Sequence, residues 1–179
     1  MTPKTKTEAV KMAREKALAK LLETGSCAYS TVLALQDTFD LKDEALLKAS
    51  GALTGGIGGR AETCGAMIGV TLVLGAVCGM GRNDGDNGIP KLYEAVRQAA
   101  EFVKWFRTEK GCVSCNQILI MNANGVIYDF TDPEQLQAAM EAGVLDKCRE
   151  VVQNTTGKAA ELLWDELHKS LPGKVKKYA

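Results

Sequence analysis

The run Gly55-Gly56-Ile57-Gly58-Gly59 leads into Cys64-Gly65-Ala66-Met67-Ile68-Gly69 and then into the most apolar stretch of the chain. This succession limits the fold more than any other feature. Ala66 to Met80 is shorter than the roughly 20 residues a bilayer needs, and it carries Gly69, Gly75 and Gly79. With Gly65, these glycines let neighbouring helices approach a buried central helix. Cys64 falls in its first turn, where the macrodipole and unpaired N–H groups favour thiolate over thiol.

The rest of the chain supplies helices to surround that centre. Ala9, Met12, Ala13, Ala17, Leu18, Leu21 and Leu22 recur at helical spacing between charged residues. Gly25 closes that helix, and Ser26 caps a second from Cys27 to about Phe39. Asp43 opens a third, Glu44 to Ser50, and the central helix is expected from about Ala61 to Gly79. Gly81 to Gly88 is a loop, and Pro90 suits the first turn of a long helix through Val96, Phe102, Val103 and Phe106. Thr131-Asp132-Pro133-Glu134 starts Gln135 to Ala142, and Gly143 separates it from a last helix, Leu145 to about Ser170.

Between Ile118 and Phe130 two readings stay open. Asn122-Ala123-Asn124-Gly125 between apolar runs suits a small β-hairpin, whereas the preceding cysteines suit the start of a short helix. The expected class is all-α: one domain over residues 1–179, a compact multi-helix bundle around the glycine-rich helix, with that hairpin as the one departure.

Lys and Arg number 22 against 22 Asp and Glu, well mixed along the chain, so no basic face for nucleic acid is implied. The basic end Gly173-Lys174-Val175-Lys176-Lys177 reads as a solvated terminus. The N-terminal residues run into charged helix without the apolar core of a signal peptide, and no stretch suits membrane insertion. A cytoplasmic protein is the expectation. In a reducing compartment stable disulfides are rare, so six cysteines point to metal or redox chemistry.

Spacing along the central helix keeps Cys64 and Cys78 about 21 Å apart, too far for a shared site. Cys112-Val113-Ser114-Cys115 is the close pair, a spacing shared by zinc, iron–sulfur and thiol–disulfide sites. Asn116 follows it, so it is not a c-type haem attachment site. His168 is the one histidine. It falls in the last turn of the last helix and reads as solvated, so a metal would be held mainly by thiolates. Cys27, Cys64, Cys115 and Cys148 all fall at expected helix starts, with Cys148 between Lys147 and Arg149. Four converging thiolates would repel one another, and a metal centre would relieve that.

In order and setting, Cys27, the Cys64-to-Gly69 CGAxxG element, Cys115 and Cys148 resemble a family designated redox-active and named for its Cys…CGAxxG…Cys…Cys pattern. The likeness runs from about Ala9 to Leu163 and takes in Arg60, the Gly81-Arg82 step and the Thr-Asp-Pro-Glu start. Cys78, Cys112 and a longer segment after Cys115 depart from the pattern. The resemblance implies a redox role and a functional link to a transporter. Split-Soret cytochromes resemble the same family but add haem sites, and with no CxxCH here haem is not implied.

The leading expectation is that Cys27, Cys64, Cys115 and Cys148 bind an iron–sulfur cluster or other thiophilic metal for electron transfer or redox sensing, with Arg60, Lys147 and Arg149 beside it. An unidentified redox partner is implied. The first alternative is metal-free thiol–disulfide chemistry with Cys64 as the attacking, most reactive thiol. The second is a binding module whose glycine turn holds a small anion. A homodimer packed through the glycine-rich helix is a further expectation.

Overall fold

The computed structural model describes residues 2–85, 88–120 and 125–169, which form eight helices and, among the described residues, no strand. They are α1 (Lys6–Thr24), α2 (Cys27–Phe39), α3 (Glu44–Gly51), α4 (Gly65–Cys78), α5 (Gly88–Lys110), α6 (Cys115–Ile120), α7 (Pro133–Glu141) and α8 (Val144–Leu167). Side chains that compete for backbone hydrogens set several starts. Thr5, Ser26, Asp43 and Asp132 each accept an N–H from the first turn of the helix that follows.

α4 lies at the centre, packed against α2, α5 and α8, while α1 bridges α2 and α8. Val70, Val73 and Leu74 of α4 meet Val32 and Leu35 of α2, Phe102 and Phe106 of α5, and Leu163 of α8 in one apolar core. Close approach depends on small residues. A methyl on Gly69 would lie 3.0 Å from the Ala28 carbonyl oxygen and 3.3 Å from Thr31 Cβ. The two glycines of CGAxxG, one helical turn apart, are therefore the track along which α2 crosses α4. They face α2 within the chain, whereas a methyl on Gly75 further along α4 would meet nothing within 4 Å. No described helix is long and apolar enough to cross a membrane.

A second, smaller core joins Ala61, Cys115, Leu119, Ala139 and Val144, with Tyr128, Phe130 and Cys148 packed against it. It lies where α6, α7 and the start of α8 meet the glycine turn.

Two local expectations change. The first arm of the proposed hairpin is helical, as α6, residues 126–129 form no strand, and the turn at 121–124 lies outside the described residues. The central helix starts at Gly65 rather than Ala61, because residues 61–64 pair antiparallel with 113–116 instead. Thr63 bridges Ser114, and the Cys64 N–H donates to the Val113 carbonyl at 2.9 Å. The Cys115 N–H donates to Glu62 at 2.6 Å and the Asn116 N–H to Ala61 at 2.8 Å.

The glycine turn is a short left-handed coil. Gly55, Gly56, Ile57, Gly58 and Gly59 have φ of +62°, +72°, +65°, +60° and +76° in succession. Left-handed backbone costs an L-residue roughly 1–2 kcal/mol, which explains four glycines in five positions and marks Ile57 as strained. The N–H groups of residues 57–62 donate to carbonyls of residues 52–57. Those amides are thus engaged within the turn, which takes away the cradle that the anion-binding alternative needs.

Candidate thiol site

Four elements carry the cysteines of interest, Cys27 and Cys64 with the main core and Cys115 and Cys148 with the smaller one. Cys27 is the first residue of α2, Cys64 the N-cap of α4, Cys115 the first residue of α6, and Cys148 lies on α8. Two glycines allow their approach. A methyl on Gly65 would lie 2.6 Å from Cys27 Sγ, so that sulfur rests against the start of α4. A methyl on Gly56 would lie 2.8 Å from Cys115 Cβ, so the glycine turn sits directly over Cys115. Over that turn lies the segment leading into α7: Gly55 meets the Phe130 ring and Gly59 meets Thr131.

The four thiols act on one another electrostatically. Burial is the first cause that raises each of them, pushing Cys64 and Cys148 up to about 12 and Cys27 and Cys115 upward as well. Mutual repulsion adds to it: Cys27 opposes ionisation of Cys64, while Cys64, Cys148 and Cys27 oppose that of Cys115. Cys148 is opposed in the same way by Cys27 and Cys64. Backbone amides work against this: those of Gly55, Ala28, Cys27 and Ala66 favour the Cys27 thiolate, and those of Met67 and Ala66 the Cys64 thiolate. The Cys64 side chain makes no cap hydrogen bond at the start of α4. All six cysteines are free thiols. Among the described residues no three Cys, His, Asp or Glu side chains stand as a ready-made ligand set for a metal ion.

Cys78 lies outside this group. At the other end of α4 it feels Glu166 and Glu94 against Lys169 and Arg97, and burial pushes it up to about 11. His168 stacks on Trp164 with ring centroids 3.8 Å apart, and its Nδ1 is 2.8 Å from the Trp164 carbonyl oxygen.

The cations expected beside the thiols are engaged elsewhere. Arg60 pairs with Asp129 at 2.8 Å, Lys147 with Glu150 at 2.8 Å and Arg149 with Asp146 at 2.8 Å. Helical geometry explains the last two. Neighbours on a helix point about 100° apart, so with Cys148 on the side of Val151, Val152 and Thr155, Lys147 and Arg149 are turned to the carboxylates of their own surface. Arg60 leaves the glycine turn outward, with its side chain 64% exposed.

Burial works against the expectation that Cys64 is the most reactive thiol. The dipole and arginine would have to outweigh burial beside other thiols, and burial prevails. Burial pushes the Cys64 thiol up to about 12, which disfavours its thiolate at neutral pH. Alkylation of metal-free, reduced protein is expected to leave Cys64 no faster than Cys78 at pH 7, and its rate should rise with pH beyond 9. Peptide mapping of a short iodoacetamide pulse checks this.

The family match agrees with the extent of this arrangement. Residues 26–162 match the family described as "Putative redox-active protein (C_GCAxxG_C_C)", a span that begins at the Ser26 cap and includes all four site cysteines. No curated protein and no solved structure matches the chain.

The sequence left several partners of the sulfurs unseen. The amides of Gly55, Ala66 and Met67 carry no side-chain signal, and the pairing of 61–64 with 113–116 leaves no mark in periodicity. The spacing of Gly65 and Gly69 was the visible clue to the α2–α4 crossing.

Proposed function

Because this chain belongs to the C_GCAxxG_C_C family of redox-active proteins, we propose that Cys27, Cys64, Cys115 and Cys148 form a redox centre that takes up an iron–sulfur cluster or another thiophilic metal. One observation supports the reading: Cys64, Cys148 and Cys27 each oppose ionisation of Cys115, and Cys27 opposes that of Cys64 and Cys148, so the four thiols lie within electrostatic reach of one another. Protonated, they have little chemistry there. A thiophilic cation removes both the protons and the repulsion.

The donor chemistry fits. An all-thiol set suits iron–sulfur clusters or zinc, and amides aimed at sulfur stabilise metal-bound thiolate and tune its potential. When bound, an iron–sulfur centre would supply one-electron transfer. The chain itself would hold the centre through the starts of α2, α4 and α6 and the inner face of α8. Its two cores bury Cys64 and Cys115 and half-bury Cys27 and Cys148, and the glycine turn closes over Cys115. Each thiol must surrender its proton to become a ligand.

A metal-free thiol–disulfide protein is the second reading, favoured by the lack of a ready-made ligand set among the described residues. The upward shift of the Cys64 thiol weighs against Cys64 as the thiol that attacks first, because that step needs thiolate.

Metal and acid-labile sulfide counts on protein purified without oxygen separate the two. The proposed centre predicts coloured protein with bound iron, or stoichiometric zinc, and affinity that rises steeply with pH because several protons leave on binding. Metal-free, colourless protein that refuses iron, sulfide and zinc between pH 7 and 9 would contradict it.

A further inference from the structure

The four-thiol centre leaves Cys112 without a role, and its position in the fold suggests one. As the first cysteine of the CxxC spacing it would ordinarily be paired with Cys115. The fold separates them instead: Cys112 packs against the main core with Cys27 and Cys64, while Cys115 lies in the smaller core with Cys148. The antiparallel pairing of 61–64 with 113–116 sets the Cys112 segment alongside the start of α4, with Val113 accepting the Cys64 N–H at 2.9 Å.

We infer that Cys112 is the disulfide partner of Cys64, and that oxidation of this pair by a low-molecular-weight disulfide withdraws Cys64 from the four-thiol centre. The second half of this rests on the redox centre proposed above; the pairing itself does not. Cys115 is fixed by its N–H bond to Glu62 and by Gly56 above it. Cys112 is half-buried in the irregular link between α5 and α6, its thiol directed at the Ser114 carbonyl 3.9 Å away.

The chemistry balances as two exchanges. The Cys112 thiolate attacks one sulfur of the small disulfide, breaking its S–S bond, forming a mixed disulfide and releasing one small thiolate. Cys64, giving its proton to that thiolate, then attacks the Cys112 sulfur and expels the second. The two cysteines lose two electrons and two protons, and the small disulfide leaves as two thiols. A small thiol in excess reverses both steps.

Full-length, metal-free, reduced protein treated with oxidised glutathione and mapped under non-reducing conditions tests the pairing directly. A Cys64–Cys112 linkage is expected as the dominant disulfide, and C112S should lower the Cys64-containing linkage at least tenfold. A Cys112–Cys115 or Cys27–Cys64 linkage as the main product, or glutathione adducts without any internal disulfide, would overturn the inference, and none of these outcomes depends on a variant folding. A second arm reads metal. Oxidised wild type should fail to take up iron or zinc until reduced, whereas reduced C112S should load like the wild type. If reduced wild type never loads, the metal reading fails while the linkage map still judges the pairing. If oxidised, internally linked protein loads normally, the withdrawal of Cys64 is wrong.

Discussion

Gly65→Ala is expected to abolish metal loading and to destabilise the fold, because the new methyl would lie 2.6 Å from Cys27 Sγ and 2.6 Å from the Leu53 carbonyl oxygen. Alanine has a helix propensity up to about 1 kcal/mol better than glycine, but that gain is small at the first helical position. Overpacking of a filled interior costs about 1–3 kcal/mol, and here the methyl is caught between a backbone oxygen and a sulfur. Relief by movement of Cys27 would carry one ligand away from the other three. Loading and thermal unfolding together read the result: a melting temperature lowered by several degrees with metal uptake near background. A G65A protein that loads fully would show that the contact between α4 and Cys27 does not matter to the site.

The effect expected of Gly56→Ala is larger still on stability. A side chain there must adopt φ of +72°, and its methyl would meet the Glu62 nitrogen at 2.7 Å, the Ala61 carbonyl carbon at 2.8 Å and Cys115 Cβ at 2.8 Å. Left-handed strain of about 1–2 kcal/mol adds to the overpacking, giving a loss of about 2–5 kcal/mol. That is a large fraction of the 5–15 kcal/mol typical of a whole domain. Gly58 has the same handedness at φ of +60°, but a methyl on it would have no neighbour within 4 Å. Gly58→Ala should therefore show the strain alone, and denaturant unfolding of the two variants side by side separates backbone conformation from crowding over Cys115.

These glycines show how far the sequence could be read. The helices and their caps were legible because capping residues and apolar spacing are local properties: Ser26, Asp43 and Asp132 stand where they were expected. The start of α4 was not, because residues 61–64 take their hydrogen bonds from a segment some fifty residues later, and no local pattern reports that. Around the site, the sequence marked Cys27, Cys64, Cys115 and Cys148 through helix starts. It misjudged the balance of forces at Cys64, since burial and neighbouring thiols are tertiary effects. Arg60, Lys147 and Arg149 misled for the same reason. Adjacency in sequence suggested charge beside the sulfurs, whereas helical geometry and nearby carboxylates turn those cations to the surface.

Ile57 on the strained turn, Val126, Ile127 and Met140 are exposed apolar residues on elements around the smaller core, and Ile89, Leu92, Tyr93 and Val96 line one face of α5.

The claim that four cysteines form one centre is tested most directly by metal protection. Reduced protein is loaded anaerobically with zinc, pulse-alkylated under mild denaturant alongside metal-free protein, and mapped cysteine by cysteine. Cys27, Cys64, Cys115 and Cys148 should be protected together and to the same metal stoichiometry, with Cys78 and Cys112 labelled as in the metal-free protein. Protection of only some of the four, or of Cys78 or Cys112 in place of one of them, would contradict the account.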